Sequence, residues 1–109
     1  MITIEIRKSG DQYVGFSSKG HAGYAEEGYD IICAAVSVLT VNTLNAIEKF
    51  TEDAFSAEAA DGMVRWKFTE RPVSEKTALL MDTLVLGLED IQESYGKKYL
   101  KISKIDLTN

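Results

Sequence analysis

One histidine and one cysteine occur in this 109-residue chain, His21 and Cys33, twelve positions apart in the stretch KGHAGYAEEGYDIICAAVS. An imidazole that takes the proton of a nearby thiol makes a thiolate nucleophile, and the imidazolium left behind can protonate a departing amine. Residues 20–29 contain three of the eight glycines (Gly20, Gly23 and Gly28) and no periodicity, so they read as a loop able to fold imidazole back onto thiol. Beyond the loop, Asp30, Cys33 and Ser37 are separated by three and four residues and share one face of any helix they occupy. With Asp30 as N-cap, Cys33 falls in the first turn, where unpaired amides and the helix dipole favour an anion. The charge of Asp30 opposes this unless it is occupied by capping or by His21. A plainer account makes Asp30 only a cap, Ser37 a residue bonded back to a carbonyl, and Cys33 a small core side chain.

The elements that must position these groups follow from the patterning. Ile2, Ile4 and Ile6 alternate with Thr3, Glu5 and Arg7 as in a half-buried strand. After a turn, residues 13–18 return as its antiparallel partner with Val14 and Phe16 facing in. Residues 30–50 are spaced as a helix, although Ile31, Ile32, Val36, Val38 and Val41 are β-branched and favour strand. Two alternating runs flank Asp61-Gly62, a dipeptide that supplies positive φ to a tight turn, with Val64, Trp66 and Phe68 on one side and Arg65 and Lys67 on the other. Pro72 and Ser74 open a second helix in which Leu80, Leu84, Leu88, Ile91 and Tyr95 form a stripe, widened by Met81 and Val85 and closed by Gly96. Residues near the C-terminus make a last strand. The order β-β-α-β-β-α-β predicts a single α+β domain, residues 1–109, with an antiparallel or mixed sheet and two long helices packed on it.

Composition excludes several functions. At 45% hydrophobic and 27% charged residues the chain is a globular domain. Twelve Lys plus Arg against 17 Asp plus Glu leave a net charge of −5, so phosphate backbones are repelled and no nucleic-acid partner is expected. One cysteine precludes an internal disulfide and suits a reducing compartment, here the cytoplasm. The N-terminus lacks the basic and apolar blocks of a signal peptide. The charge-free run 31–47 is short for a bilayer and carries Ser37, Thr40, Asn42, Thr43 and Asn45, so no membrane partner is expected. One His and one Cys make a poor zinc set, no phosphate-binding glycine motif is present, and neither metal nor cofactor is expected. Before Glu48 the first helix has almost no solvent-facing side, which predicts a homodimer that finishes its burial.

The stretch GHAGYAEEGYDIICAAVS resembles the signature of the bacterial ribosomal-processing cysteine protease family: Gly-His-Ala, a glycine-rich loop, Asp, two aliphatic residues, then Cys-Ala-Ala-Val-Ser. Chain length, element order and the closing YLKI agree with it as well. The resemblance implies a homodimeric endopeptidase that removes the N-terminal extension of a large-subunit ribosomal protein, cutting after a pair of phenylalanines. It places the nucleophile on Cys33 and the base on His21, with Gly20, Asp30 and Ser37 at supporting positions. Residues 20–29 would then be a mobile active-site loop, with amides of the helix start or the loop meeting the oxyanion. Glu26 and Glu27 could attract a basic substrate, and Tyr24, Tyr29 and Phe16 are aromatic candidates for its subsites, although each has an ordinary role as solvated charge, rim or core. A rival of another class is a non-catalytic homodimeric ribosome-associated binding module with Cys33 buried. A third is a thiol acyltransferase or amidase acting on a small molecule.

Overall fold

The alternation of apolar and polar residues in the first nineteen positions produces two strands, β1 (Ile2–Ser9) and β2 (Gln12–Lys19), and the later patterns produce α1 (Tyr29–Phe50), β3 (Phe55–Ala60), β4 (Met63–Phe68), α2 (Glu75–Tyr95) and β5 (Leu100–Asp106). The structure, a computed structural model, describes residues 1–20 and 29–107, with side chains from residue 31 onward in α1. The predicted element order is the observed one. The sheet is mixed, in the order β3-β4-β2-β1-β5, with β5 parallel to β1 and every other pair antiparallel.

Both helices cover one face of this sheet. Ile4, Ile6, Phe16, Trp66 and Phe68 meet Ile32, Val36 and Ile47 of α1 and Met81, Leu84 and Leu88 of α2 in one core. Each such side chain contributes about 1.5–3 kcal/mol by leaving water. In α1 the buried residues are Ile32, Val36, Thr40, Thr43 and Ile47, at steps of four, four, three and four, so tertiary burial overrides the strand preference of its β-branched residues. The other side of α1 displays Ile31, Val38 and Val41, with Val38 67% exposed. By length and composition α1 could cross a membrane, yet its buried stripe is built into this core.

The second hairpin is as predicted. Gly62 has φ 71° in the turn, and Glu58 pairs with Arg65 directly across the strands at 2.5 Å. Ser74 caps α2 by accepting from the Thr77 amide, and the Gly96 amide closes it on the Gln92 carbonyl.

Two expectations are corrected. A bulge between Arg7 and Lys8 shifts the β1–β2 register, so Tyr13, not Val14, joins Phe16 towards the helices. Tyr13 donates to Asp82 of α2, and burial followed by that bond pushes its phenol well above the ordinary value. Val14 lines a groove with Arg7 and Lys67. In α2 the buried set is Thr77, Met81, Leu84, Val85 and Leu88, with Ile91 packed against the core, and Tyr95 is 50% exposed because the helix outruns the core after Ile91.

Candidate active site

Cys33 is flanked in α1 by two residues that fix it. Ile32 is fully buried and Val36, one turn on, nearly so. The half-buried Cys33 is held between them and lines a cleft of about 170 Å³. Ser37 lines the same cleft, as the four-residue spacing requires, and so does Gly20 at the end of β2. Opposite α1 the wall is the β3–β4 hairpin, with Gly62 and Met63. The structure therefore brings together three of the five residues that the sequence singles out.

Gly20 is there because nothing larger fits. A Cβ at this position would lie 2.6 Å from the Ile2 Cα and 2.6 Å from the Met1 carbonyl oxygen. Its amide donates to the Gly62 carbonyl at 2.9 Å, tying the end of β2 to the hairpin turn. The chain thus leaves β2 at the rim of the cleft that holds Cys33. His21, Tyr24, Glu26, Glu27 and the mobility expected of the loop fall in residues 21–28, outside the described residues. The side chains of Tyr29 and Asp30 lie outside the description too.

The start of α1 differs from the expectation. The helix opens at Tyr29, so Asp30 is its second residue rather than its N-cap, and Cys33 is its fifth. Only the first amides of a helix lack an intrahelical partner, and the dipole effect fades within the first turn. The Cys33 amide is consequently not an unpaired donor for an oxyanion. Phe16 is likewise removed from the substrate candidates: it is fully buried and stacks on Trp66 with ring centroids 4.5 Å apart.

Sequence reasoning passed over Thr40, Ser18 and the hairpin wall, all of which line the cleft. Thr40 was within reach, since it stands seven residues after Cys33, two turns along the same face. The hairpin was not, because its placement depends on strand order. A larger groove, about 660 Å³, lies elsewhere on the sheet beside Arg7, Glu58, Arg65 and Lys67 and shares no residue with the Cys33 cleft.

A core-anchored thiol facing a cleft invites comparison with thiol peptidases, and residues 1–101 match the family model described as cysteine protease Prp. The chain is a cysteine peptidase. Ribosomal processing cysteine protease Prp of Bacillus subtilis is 30% identical over 101 residues, covering 87% of this chain and 90% of the relative. The protein of that name from Staphylococcus aureus is 27% identical over 99 residues, covering 89% and 93%. Among solved structures, Staphylococcus aureus Prp in complex with a substrate peptide superposes with a TM-score of 0.86 at 23% identity, over 95% of this chain and 99% of that one, which speaks to the fold. A Streptococcus mutans protein gives a TM-score of 0.79 at 26% identity, over 100% and 96%. This chain belongs to the Prp family of ribosomal-processing cysteine proteases.

Proposed function

We propose that this peptidase removes the N-terminal extension of a large-subunit ribosomal protein by cutting after a Phe-Phe pair, with Cys33 as nucleophile and His21 as base. The observation that carries the reading is the convergence of Cys33, Ser37 and Gly20 on one cleft in a chain of this family. Gly20 immediately precedes His21, so a short step of chain separates the cleft rim from the imidazole.

In this mechanism His21 accepts the Cys33 proton and the thiolate adds to the carbonyl carbon of the second Phe. The C–N bond breaks as the imidazolium protonates the departing amine, leaving a thioester that water hydrolyses with His21 again as base. Since the Gly20 amide is committed to Gly62 and the Cys33 amide lies inside the helix, the oxyanion is assigned to amides of the loop after Gly20 or of the first turn of α1 ahead of Cys33. Ser37, one turn from Cys33 on the cleft face, is assigned a bond to the bound peptide, and Asp30 the orientation of His21. The work is done in the cytoplasm, without metal or cofactor, by a homodimer joined through the exposed apolar side of α1, where Ile31 and Val38 are both more than 60% exposed. A non-catalytic module with a buried thiol is disfavoured by the half-buried Cys33 at the cleft.

Mass spectrometry of a peptide carrying the Phe-Phe extension, incubated with wild type, Cys33→Ala and His21→Ala, tests the assignment. A single cut after the second Phe by wild type, lost in both folded variants, is expected. Cleavage that survives either substitution would remove that residue from the mechanism.

A further inference from the structure

Among the described residues two buried side-chain polar atoms have no hydrogen-bond partner, Thr40 Oγ1 and Trp66 Nε1. Of these two residues only Thr40 lines the cleft that holds Cys33. Thr40 is 1% exposed, and a hydroxyl withdrawn from water without a partner bears its full desolvation cost. A helical threonine ordinarily escapes this by donating to the carbonyl four residues back. Thr43 does so to Leu39 at 2.7 Å, and Thr83 to Leu79 at 2.8 Å. Thr40, in the same helix as Thr43, makes no such bond.

We propose that the Thr40 hydroxyl is a substrate-binding group, whose missing partner is a main-chain amide or carbonyl of the bound peptide; this rests on the proposed placement of the reaction at Cys33. Val36, Ser37 and Thr40 continue the cleft wall along α1 from Cys33. Seven helical residues span about 10 Å of axis, the length of about three extended peptide residues. A peptide with its scissile carbonyl at Cys33, lying along α1 against the β3–β4 hairpin, therefore brings a residue about three places from the cut to Thr40. A hydroxyl can either donate or accept, so it suits main-chain groups of any sequence. The cost carried by the empty enzyme is recovered when peptide binds, which makes the contact a determinant of KM rather than of kcat.

Peptide cleavage kinetics and thermal denaturation of wild type, Thr40→Val, Thr40→Ser and Cys33→Ala test the inference. Thr40→Val preserves shape and removes only the hydroxyl. It should raise KM about 2- to 13-fold, the effect of one hydrogen bond, with kcat nearly unchanged and Tm equal to or above that of wild type. Thr40→Ser should restore the wild-type KM. A peptide trimmed to two residues on either side of the cut should be processed equally by wild type and Thr40→Val. Loss of Tm with unchanged KM would mean a structural role and overturn the inference, leaving Cys33 as nucleophile if Cys33→Ala is inactive. Cleavage by Cys33→Ala would overturn both. Should Thr40→Val fail to fold, Thr40→Ala carries the same comparison: an unchanged KM overturns the inference, and a raised KM that Thr40→Ser restores supports it.

Discussion

Gly20→Ala is the most direct probe of how the fold positions the site. The added Cβ would stand 2.6 Å from the Ile2 Cα and from the Met1 carbonyl oxygen, both backbone atoms, so no side-chain rotation relieves the clash. The end of β2 must move away from the start of β1. That movement stretches the 2.9 Å bond from the Gly20 amide to the Gly62 carbonyl, which ties β2 to the hairpin wall of the cleft. Overpacking of this kind costs about 1–3 kcal/mol, and the lost bond about 0.5–1.5 kcal/mol more. For a domain of this size the sum corresponds to a fall in Tm of about 6–20 °C. Because His21 is the next residue, a displacement of about 1 Å here should also lower kcat/KM about 100-fold at a temperature where the variant is still folded. Calorimetry and peptide kinetics on the same preparation measure both. A variant with wild-type Tm and wild-type kcat/KM would refute the account of why glycine stands at this position.

Other perturbations separate core from site. Phe16→Leu, in the fully buried stack on Trp66, should cost about 1–2 kcal/mol in denaturant unfolding yet leave KM for a Phe-Phe peptide unchanged; a raised KM would return Phe16 to the subsites. Val38→Glu puts a charge on the exposed side of α1 and should convert a dimer to the 12.1 kDa species in light scattering without lowering helix content. Asp53 is a test of acid stability. Partial burial acts to raise its pKa, but the Ser74 hydroxyl and amide and the Thr77 hydroxyl donate to the carboxylate and hold it below the ordinary 3.8. A depressed folded value means that its stabilisation is complete above the unfolded pKa and is lost as pH falls through the folded one. Asp53→Asn should therefore be less stable than wild type at neutral pH and show a flatter loss of stability below about pH 4 in acid titration followed by circular dichroism.

The parts of the site legible in the sequence were those set by short-range geometry. Cys33 and Ser37 share a cleft because four helical residues make one turn, and Asp61-Gly62 marks its hairpin because few dipeptides accept that turn. What could not be read depends on strand order. The hairpin forms the far wall of the cleft only because β4 pairs with β2, and no local pattern specifies that neighbour or the parallel pairing of β5 with β1. Val14 was misassigned since a bulge reverses alternation without changing the residue pattern. The opening of α1 lies two residues earlier than an Asp30 cap implies, a small shift along the chain that moves Cys33 out of reach of the first-turn argument.

That shift alters where the chemistry must get its rigidity. With the helix terminus no longer available to activate the thiol, the contribution of α1 is mechanical: Ile32 and Val36, both locked in the core, straddle Cys33, while Cys33, Ser37 and Thr40 look into the cleft. Core and cleft residues interleave along one helix, so the packing that holds the fold together also fixes the direction of the sulfur. Under the proposed mechanism, activation of the thiol then falls to His21. Replacing Ile32 by Val, a loss of one methylene that costs about 0.5–1.5 kcal/mol, should leave the domain folded and loosen this anchor. The expected signature is a fall in kcat/KM greater than that of Ile47→Val, an equally buried position of the same helix remote from the cleft, at matched loss of stability. Equal kinetic effects from the two substitutions would show that the orientation of Cys33 does not depend on its immediate neighbours.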